Sequence, residues 1–320
     1  MTRVYLTGGA GFVGSNIVEA FRDAGDHVHA AVHRTPVSTA STSTRVDLLD
    51  PTAVVDDVTA AAPDVVVHAA IRNDLVGLAT DRRGAWRDFV DATRNVVDAA
   101  NRVDARVILV STDWVFDGRG HQVAEDEPPH PVNSYGLLKL LQERVVLERA
   151  ARATVVRISA VNGEHRQGRA TVRQQDVGFG YLVGSLVDAL EAGDTFTLWD
   201  APDINTVATL SLASDVAARI RRIAELDLDG VLHGCGAEPV ERRVLATLTC
   251  EVFGLDPELI RVGPPPADAM PDEPVPRDTS LDAAVSAQRL GMPALTTREL
   301  LSRFASERED PGSASRGPRR

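Results

Sequence analysis

Residues 7–14 read Thr-Gly-Gly-Ala-Gly-Phe-Val-Gly, with Gly8, Gly11 and Gly14 three apart, and no other stretch narrows the fold as far. A strand-like run, Arg3-Val4-Tyr5-Leu6-Thr7, leads into it, and Phe12, Val13, Ile17, Val18 and Phe21 mark one helical face after it. Such glycine spacing is common in ordinary turns, and a purely structural turn is the plain alternative. Between a strand and a helix it is also what a dinucleotide demands. Glycines allow a tight turn and close approach of the backbone to a pyrophosphate, while the first helical N–H groups face the anion. Gly8, Gly11, Phe12, Val13 and Gly14 are therefore expected to bind cofactor.

The rest of the first half keeps the same rhythm. Strands are expected near 3–7, 27–33, 45–48, 64–69, 105–111 and 153–160, with helices near 12–24, 52–61, 84–102 and 134–151. Val65-Val66-Val67 and Val107-Ile108-Leu109-Val110 are apolar throughout, which suits strands buried on both faces. Alternating strands and helices imply an α/β fold, a Rossmann-type doubly wound parallel sheet. We expect this NAD(P)-binding domain over 1–160, a smaller C-terminal α/β substrate-binding part over 161–305, and a disordered tail at 306–320. The later part reads as a polar loop at 163–176, helices near 179–191, 212–225, 240–253, 281–290 and 296–305, and strands near 195–199 and 231–235.

Composition excludes several classes. A net charge of −12 disfavours a nucleic-acid binder, which needs basic surface to neutralise phosphates. No run of about 18 apolar residues calls for a membrane span, and the opening residues do not read as a signal peptide. Cys235 and Cys250 lack metal-ligand spacing and suit a reducing cytoplasm, and the histidines show no metal-site pairing, so no catalytic metal is expected.

Of the 34 basic residues all but one are arginine, and Lys139 is the sole lysine. It stands four residues after Tyr135 at the start of an expected helix, so the two share a face. A phenol with an ordinary pKa near 10 is a poor proton-transfer group at neutral pH, and a nearby ammonium should make it more acidic. Arginine offers charge but not a compact ammonium for a ribose hydroxyl. A solvated pair is the plainer alternative. At the end of the second strand, where an acid would favour NAD, the chain has His33-Arg34. Arg34 could pair with a 2′-phosphate, so NADP(H) is preferred and NAD(H) is allowed. Arg166, Arg169 and Arg173 place three guanidinium forks in the polar loop, a candidate for substrate phosphate.

Gly8–Gly14, Thr112 and the Tyr135–Lys139 pair together resemble the extended short-chain dehydrogenases. More narrowly, Ser111-Thr112-Asp113-Trp114-Val115-Phe116-Asp117-Gly118 is similar to the S-T-D-Y-V-F-D-G segment of dTDP-4-dehydrorhamnose reductases, and Pro131-Val132-Asn133-Ser134-Tyr135-Gly136 to their P-x-N-x-Y-G. The resemblance implies Thr112, Tyr135 and Lys139 as the catalytic trio, with Tyr135 and Lys139 also touching cofactor. It places Ala69 and Ala70 on the nicotinamide side and Asp47 and Leu48 near the adenine, and puts Asp113 against the substrate. Asn95 occupies a helix position that often holds asparagine in this group. Trp199-Asp200-Ala201-Pro202-Asp203-Ile204-Asn205-Thr206 departs from the family, which has Asp-Gln and Pro-Thr in that region. The expected activity is NADPH-dependent reduction of a keto group on a nucleotide-linked sugar of the dTDP-4-keto-6-deoxy type. The alternatives are a nucleotide-sugar epimerase or dehydratase, a small-molecule ketone reductase, and a non-catalytic NADP-binding regulatory subunit. A homodimer is compatible with the resemblance.

Overall fold

The computed structural model describes residues 1–309, apart from residue 73 and residues 168–173. β1 (Arg3–Thr7) runs into the glycine turn and α1 (Phe12–Asp23), followed by β2 (His27–Val32), β3 (Thr42–Arg45), α2 (Pro51–Ala61) and β4 (Val65–His68). α3 (Leu75–Thr80) and α4 (Arg82–Trp86) lead through a π-helical turn at Arg87–Asp91 into α5 (Ala92–Arg102). β5 (Arg106–Thr112), α6 (Ser134–Arg149) and β6 (Ala153–Ile158) complete the first half. Next come β7 (Val161–Asn162), α7 (Leu182–Glu191), β8 (Phe196–Trp199), β9 (Val207–Thr209), β10 (Ser211–Leu212), α8 (Ala213–Leu226) and β11 (Gly230–His233). β12 (Pro239–Glu241), α9 (Arg242–Phe253), β13 (Ile260–Gly263), β14 (Asp278–Thr279), α10 (Ala284–Leu290) and α11 (Thr297–Glu309) follow.

The main sheet has seven parallel strands in the order β11-β6-β5-β4-β1-β2-β3. Successive strand residues face opposite sides, and β1 shows it. Val4 and Leu6 join Ile17, Val18 and Phe21 of α1 and Val216, Ile220 and Ile223 of α8 in one core. Tyr5 faces the other layer with Val54 and Val58 of α2, Val96 and Val97 of α5 and Val146 of α6. The chain leaves β1 toward β2 and β3 and returns on the other side at β4. A crevice therefore opens beyond the C-terminal ends of β1 and β4, where open α/β sheets bind ligands.

The structure departs from the sequence expectations in identifiable ways. The third strand lies at 42–45 rather than 45–48: Thr42-Ser43-Thr44-Arg45 is exposed at the sheet edge and carries no apolar signal. β11 joins the main sheet and α8 packs beneath it, so the hydrophobic core does not divide at residue 160. The two- and three-residue strands of the later half exist through pairing with distant segments, as where β9 takes β12 on one side and β14 on the other. Residues 306–309 are helical, not tail, because Arg308 pairs with Glu164, Asp188 and Glu191. The rest of the expected tail, 310–320, lies outside the described residues. Among the described residues no helix is long and apolar enough to cross a membrane.

Candidate active site

A cleft of about 1010 Å³ opens at the crevice, and each cofactor and catalytic residue nominated from the sequence lines it. The glycine turn forms one end. Gly8 has φ +76°, and a Cβ there would stand 2.6 Å from the Ala69 backbone carbonyl. A Cβ on Gly14 would stand 2.1 Å from the Gly8 oxygen. The turn is thus a backbone surface with no room for side chains. No side chain caps α1, whose N-cap is Gly11, so its first N–H groups keep free capacity for an anion. Arg34, Asp47 and Leu48 line the cleft beyond β2 and β3, and Arg34 is exposed. Asn95 Nδ2 donates to the Leu48 carbonyl at 2.9 Å, which ties α5 to that wall. A side-chain-free turn at a helix N-terminus, with a guanidinium farther along, fits a phosphorylated dinucleotide.

The other end carries the reactive groups. Thr112 ends β5, and Asn133 caps α6 by accepting from Gly136 N at 2.9 Å, so Tyr135 sits in the first turn of that helix. Thr112 stands beside Tyr135 on the cleft wall, where its hydroxyl favours the phenolate. Its hydroxyl donates to Asp113 Oδ1 at 2.9 Å, and Ser159 donates to Asp113 Oδ2 at 2.7 Å. Asp113 is 3 % exposed, and burial holds its carboxyl up at about 6 against the pull of hydroxyls from Thr279, Ser159 and Thr112. Asp113 therefore lines the cleft with a carboxylate already supplied with donors.

Lys139 corrects the expectation about the phenol. The ammonium is buried, 2 % exposed, and donates to the Val110 carbonyl at 2.7 Å and to Gln142 Oε1 at 2.9 Å. Burial brings it down to about 7, with Glu143 pulling the other way. Tyr135 is not made acidic. Burial drives its phenol upward, Asp113 and Asp176 add to that, and the Thr112 hydrogen bond only partly offsets them. Desolvation of the anion outweighs the ammonium, whose donors point elsewhere.

Arg166 does not reach the cleft. Its guanidinium lies between Glu19 at 3.0 Å and Glu307 at 2.8 Å, where it ties α1 to α11. The substrate-phosphate expectation fails for this residue, and Arg169 and Arg173 lie outside the described residues. Sequence reasoning also missed cleft residues beyond 160: Val161, Asp176, Val177, Gly178, Gly180 and Tyr181. Tyr181 has φ +60° and packs on Phe12 at 5.2 Å between ring centroids, while Asp176 Oδ1 accepts from Gly178 N and Gly180 N. Two non-glycine residues with positive φ in this loop, Phe179 and Tyr181, had no local sequence signal.

The pattern of the RmlD substrate binding domain matches residues 1–309. The chain belongs to this family. Among its relatives, bovine methionine adenosyltransferase 2 subunit beta is 28 % identical over 303 residues, covering 88 % of this chain and 80 % of its own length. The dTDP-4-dehydrorhamnose reductase of Mycobacterium tuberculosis is 27 % identical over 305 residues, covering 92 % of this chain and 88 % of its own. Two solved structures share the RmlD-family fold. A Bacillus anthracis dTDP-4-dehydrorhamnose reductase in complex with NADP superposes with TM-score 0.78 at 19 % identity, covering 96 % of this chain and 99 % of that one. MoeE5 in complex with UDP-glucose and NAD gives 0.76 at 26 % identity, again covering 96 % and 99 %.

Proposed function

We propose that this RmlD-family protein is an NADPH-dependent reductase of a keto group on a nucleotide-linked sugar, of the dTDP-4-keto-6-deoxy type. What supports it most directly is that Thr112, Tyr135 and Lys139 line the same cleft as the glycine turn. The Mycobacterium tuberculosis reductase adds support by its likeness along most of both chains. Gly8, Gly11, Phe12, Val13 and Gly14 would hold the pyrophosphate, Arg34 a 2′-phosphate, Asp47 and Leu48 the adenine end, and Ala69 and Ala70 the nicotinamide side. The dinucleotide, when bound, supplies a hydride equivalent. Tyr135 gives its phenolic proton to the carbonyl oxygen as that oxygen becomes an alcohol. Thr112 orients the same oxygen, and Lys139 holds the ribose. Residues 1–160 supply most of this machinery, and the loop at 174–181 supplies the substrate side.

Incubation with NADPH and a panel of nucleotide-linked 4-keto sugars tests the reading. Oxidation of NADPH, with tighter binding of NADPH than of NADH, is the expected result. No turnover on any carbonyl would overturn it. That outcome, with copurification of an unrelated enzyme, would favour the second reading, a cofactor-binding regulatory subunit. The relatives named methionine adenosyltransferase 2 subunit beta motivate that reading.

A further inference from the structure

Beneath the cleft, Lys139 is the end of a buried chain of hydrogen bonds that reaches back to the glycine turn. Gln142, on the next turn of α6, accepts from the ammonium at 2.9 Å and is itself fully buried. Its amide nitrogen donates to Thr93 Oγ1 at 2.7 Å and to the Phe89 carbonyl at 3.3 Å. Phe89 lies in the π-helical turn, an irregularity often found at functional sites. Thr93 has one proton, and it goes to that same carbonyl at 2.5 Å. His68 Nε2 lies 3.0 Å from Thr93 Oγ1 and 3.4 Å from the Gln142 amide nitrogen. His68 Nδ1 lies 2.7 Å from the Thr7 hydroxyl oxygen, which accepts from Ala70 N at 3.3 Å. Burial first, then the Lys139 ammonium, holds His68 down at about 3, so its ring is neutral.

Rotating the Gln142 amide would turn its NH2 group toward the ammonium and its oxygen toward the Phe89 carbonyl, setting donor against donor and acceptor against acceptor, so only one orientation satisfies both neighbours. Burying a carboxamide costs free energy unless its hydrogen bonds are made, and here both ends are partnered. The carboxamide is explained by what it does to the lysine.

We propose that Gln142 is the positioning residue that fixes the Lys139 ammonium in the cleft and favours its charged form. The catalytic consequence rests on the reductase reading, whereas the geometry does not. The groups that face the ammonium come from several elements. Glu143 of α6 is paired with Arg157 of β6 at 2.9 Å and accepts from Ser111 of β5, neutral His68 comes from β4, and Tyr135 lies one turn back on α6. Because the lysine is brought down to about 7, loss or gain of one interaction changes its charge at neutral pH.

The single lysine makes the test direct. The full chain grown on 13Cε-lysine gives one lysine resonance, whose pH midpoint reports Lys139 without any substrate. Gln142→Leu should lower that midpoint by about one unit, a tenfold change in the protonation equilibrium, and Gln142→Glu should raise it by about as much. NADPH affinity and the pH profile of kcat should move with the midpoint, in opposite directions for the two variants. A packing role would move both the same way or neither, and either result overturns the proposal. If Gln142→Leu does not fold, Thr93→Val decides: it frees the Gln142 amide, should lower the midpoint by a smaller step, and an unchanged midpoint overturns the idea. Midpoints that shift as stated in a protein with no reductase activity would sink the reductase reading and leave this inference standing.

Discussion

The Thr112 hydroxyl donates to Asp113 Oδ1 across 2.9 Å. Thr112 has one proton, and while Tyr135 is protonated that proton serves the carboxylate. Once Tyr135 has given its proton away, the Thr112 hydroxyl can turn to the phenolate. The pair is arranged to receive negative charge on the tyrosine after transfer, which suits reduction with Tyr135 as general acid.

Replacing Tyr135 with Phe removes the proton and leaves the ring packed against Trp114, 5.8 Å away, and Phe89, 6.4 Å away. The expected loss in kcat is about 10²- to 10⁴-fold. NADPH affinity, followed by fluorescence titration, should change little. Full activity in this variant would contradict the mechanism.

Asp113 gives a stability signature with a definite sign. Its carboxyl is raised from 3.8 to about 6 in the folded protein, so the native state holds this proton more tightly than the unfolded chain. The associated stability is fully present below about pH 4 and is lost as pH rises through about 6. A shift of this size corresponds to about 3 kcal/mol at most. Asp113→Asn should flatten this part of the curve, seen as denaturant midpoints measured from pH 4 to pH 7 for both proteins. Parallel curves would show that Asp113 does not titrate as stated.

Gly14→Ala would put a methyl 2.1 Å from the Gly8 oxygen, a contact that backbone cannot accommodate without moving. The turn must shift, at about 1–3 kcal/mol. NADPH binding should fall by at least about tenfold in protein that still folds, since the same backbone would meet the pyrophosphate. Unaltered binding by calorimetry would argue that the turn is only structural.

Arg166→Ala separates structure from substrate binding. The guanidinium is enclosed by Glu19 and Glu307, so its loss leaves two carboxylates facing a gap. Stability should drop by about 1–3 kcal/mol, with KM for the sugar nucleotide unchanged. A raised KM without loss of stability would restore the phosphate-binding role.

Much of the site was legible because its chemistry is local. A glycine that must clear a backbone atom, and a phenol and an ammonium one helical turn apart, are fixed by spacing, whereas Thr112 at its strand end was implied by the resemblance to the extended short-chain dehydrogenases. The lone lysine among the basic residues pointed the same way. The expectation that failed was electrostatic. Spacing placed Lys139 near Tyr135 but could not say where its donors go, and they go to Val110 and Gln142. Arg166 failed for the same reason, since its partners lie 147 and 141 positions away and no loop composition reveals them.

Local pattern was enough for the parallel α/β sheet, the turn that opens α1, and the residues near the ends of β1, β4 and β5, because period and backbone sterics act over a few residues. The distribution of charge in the cleft came instead from long-range packing. Desolvation and hydrogen-bond direction depend on what distant segments bring to the same few ångströms, as Ser159 does for Asp113 and Thr93 for Gln142.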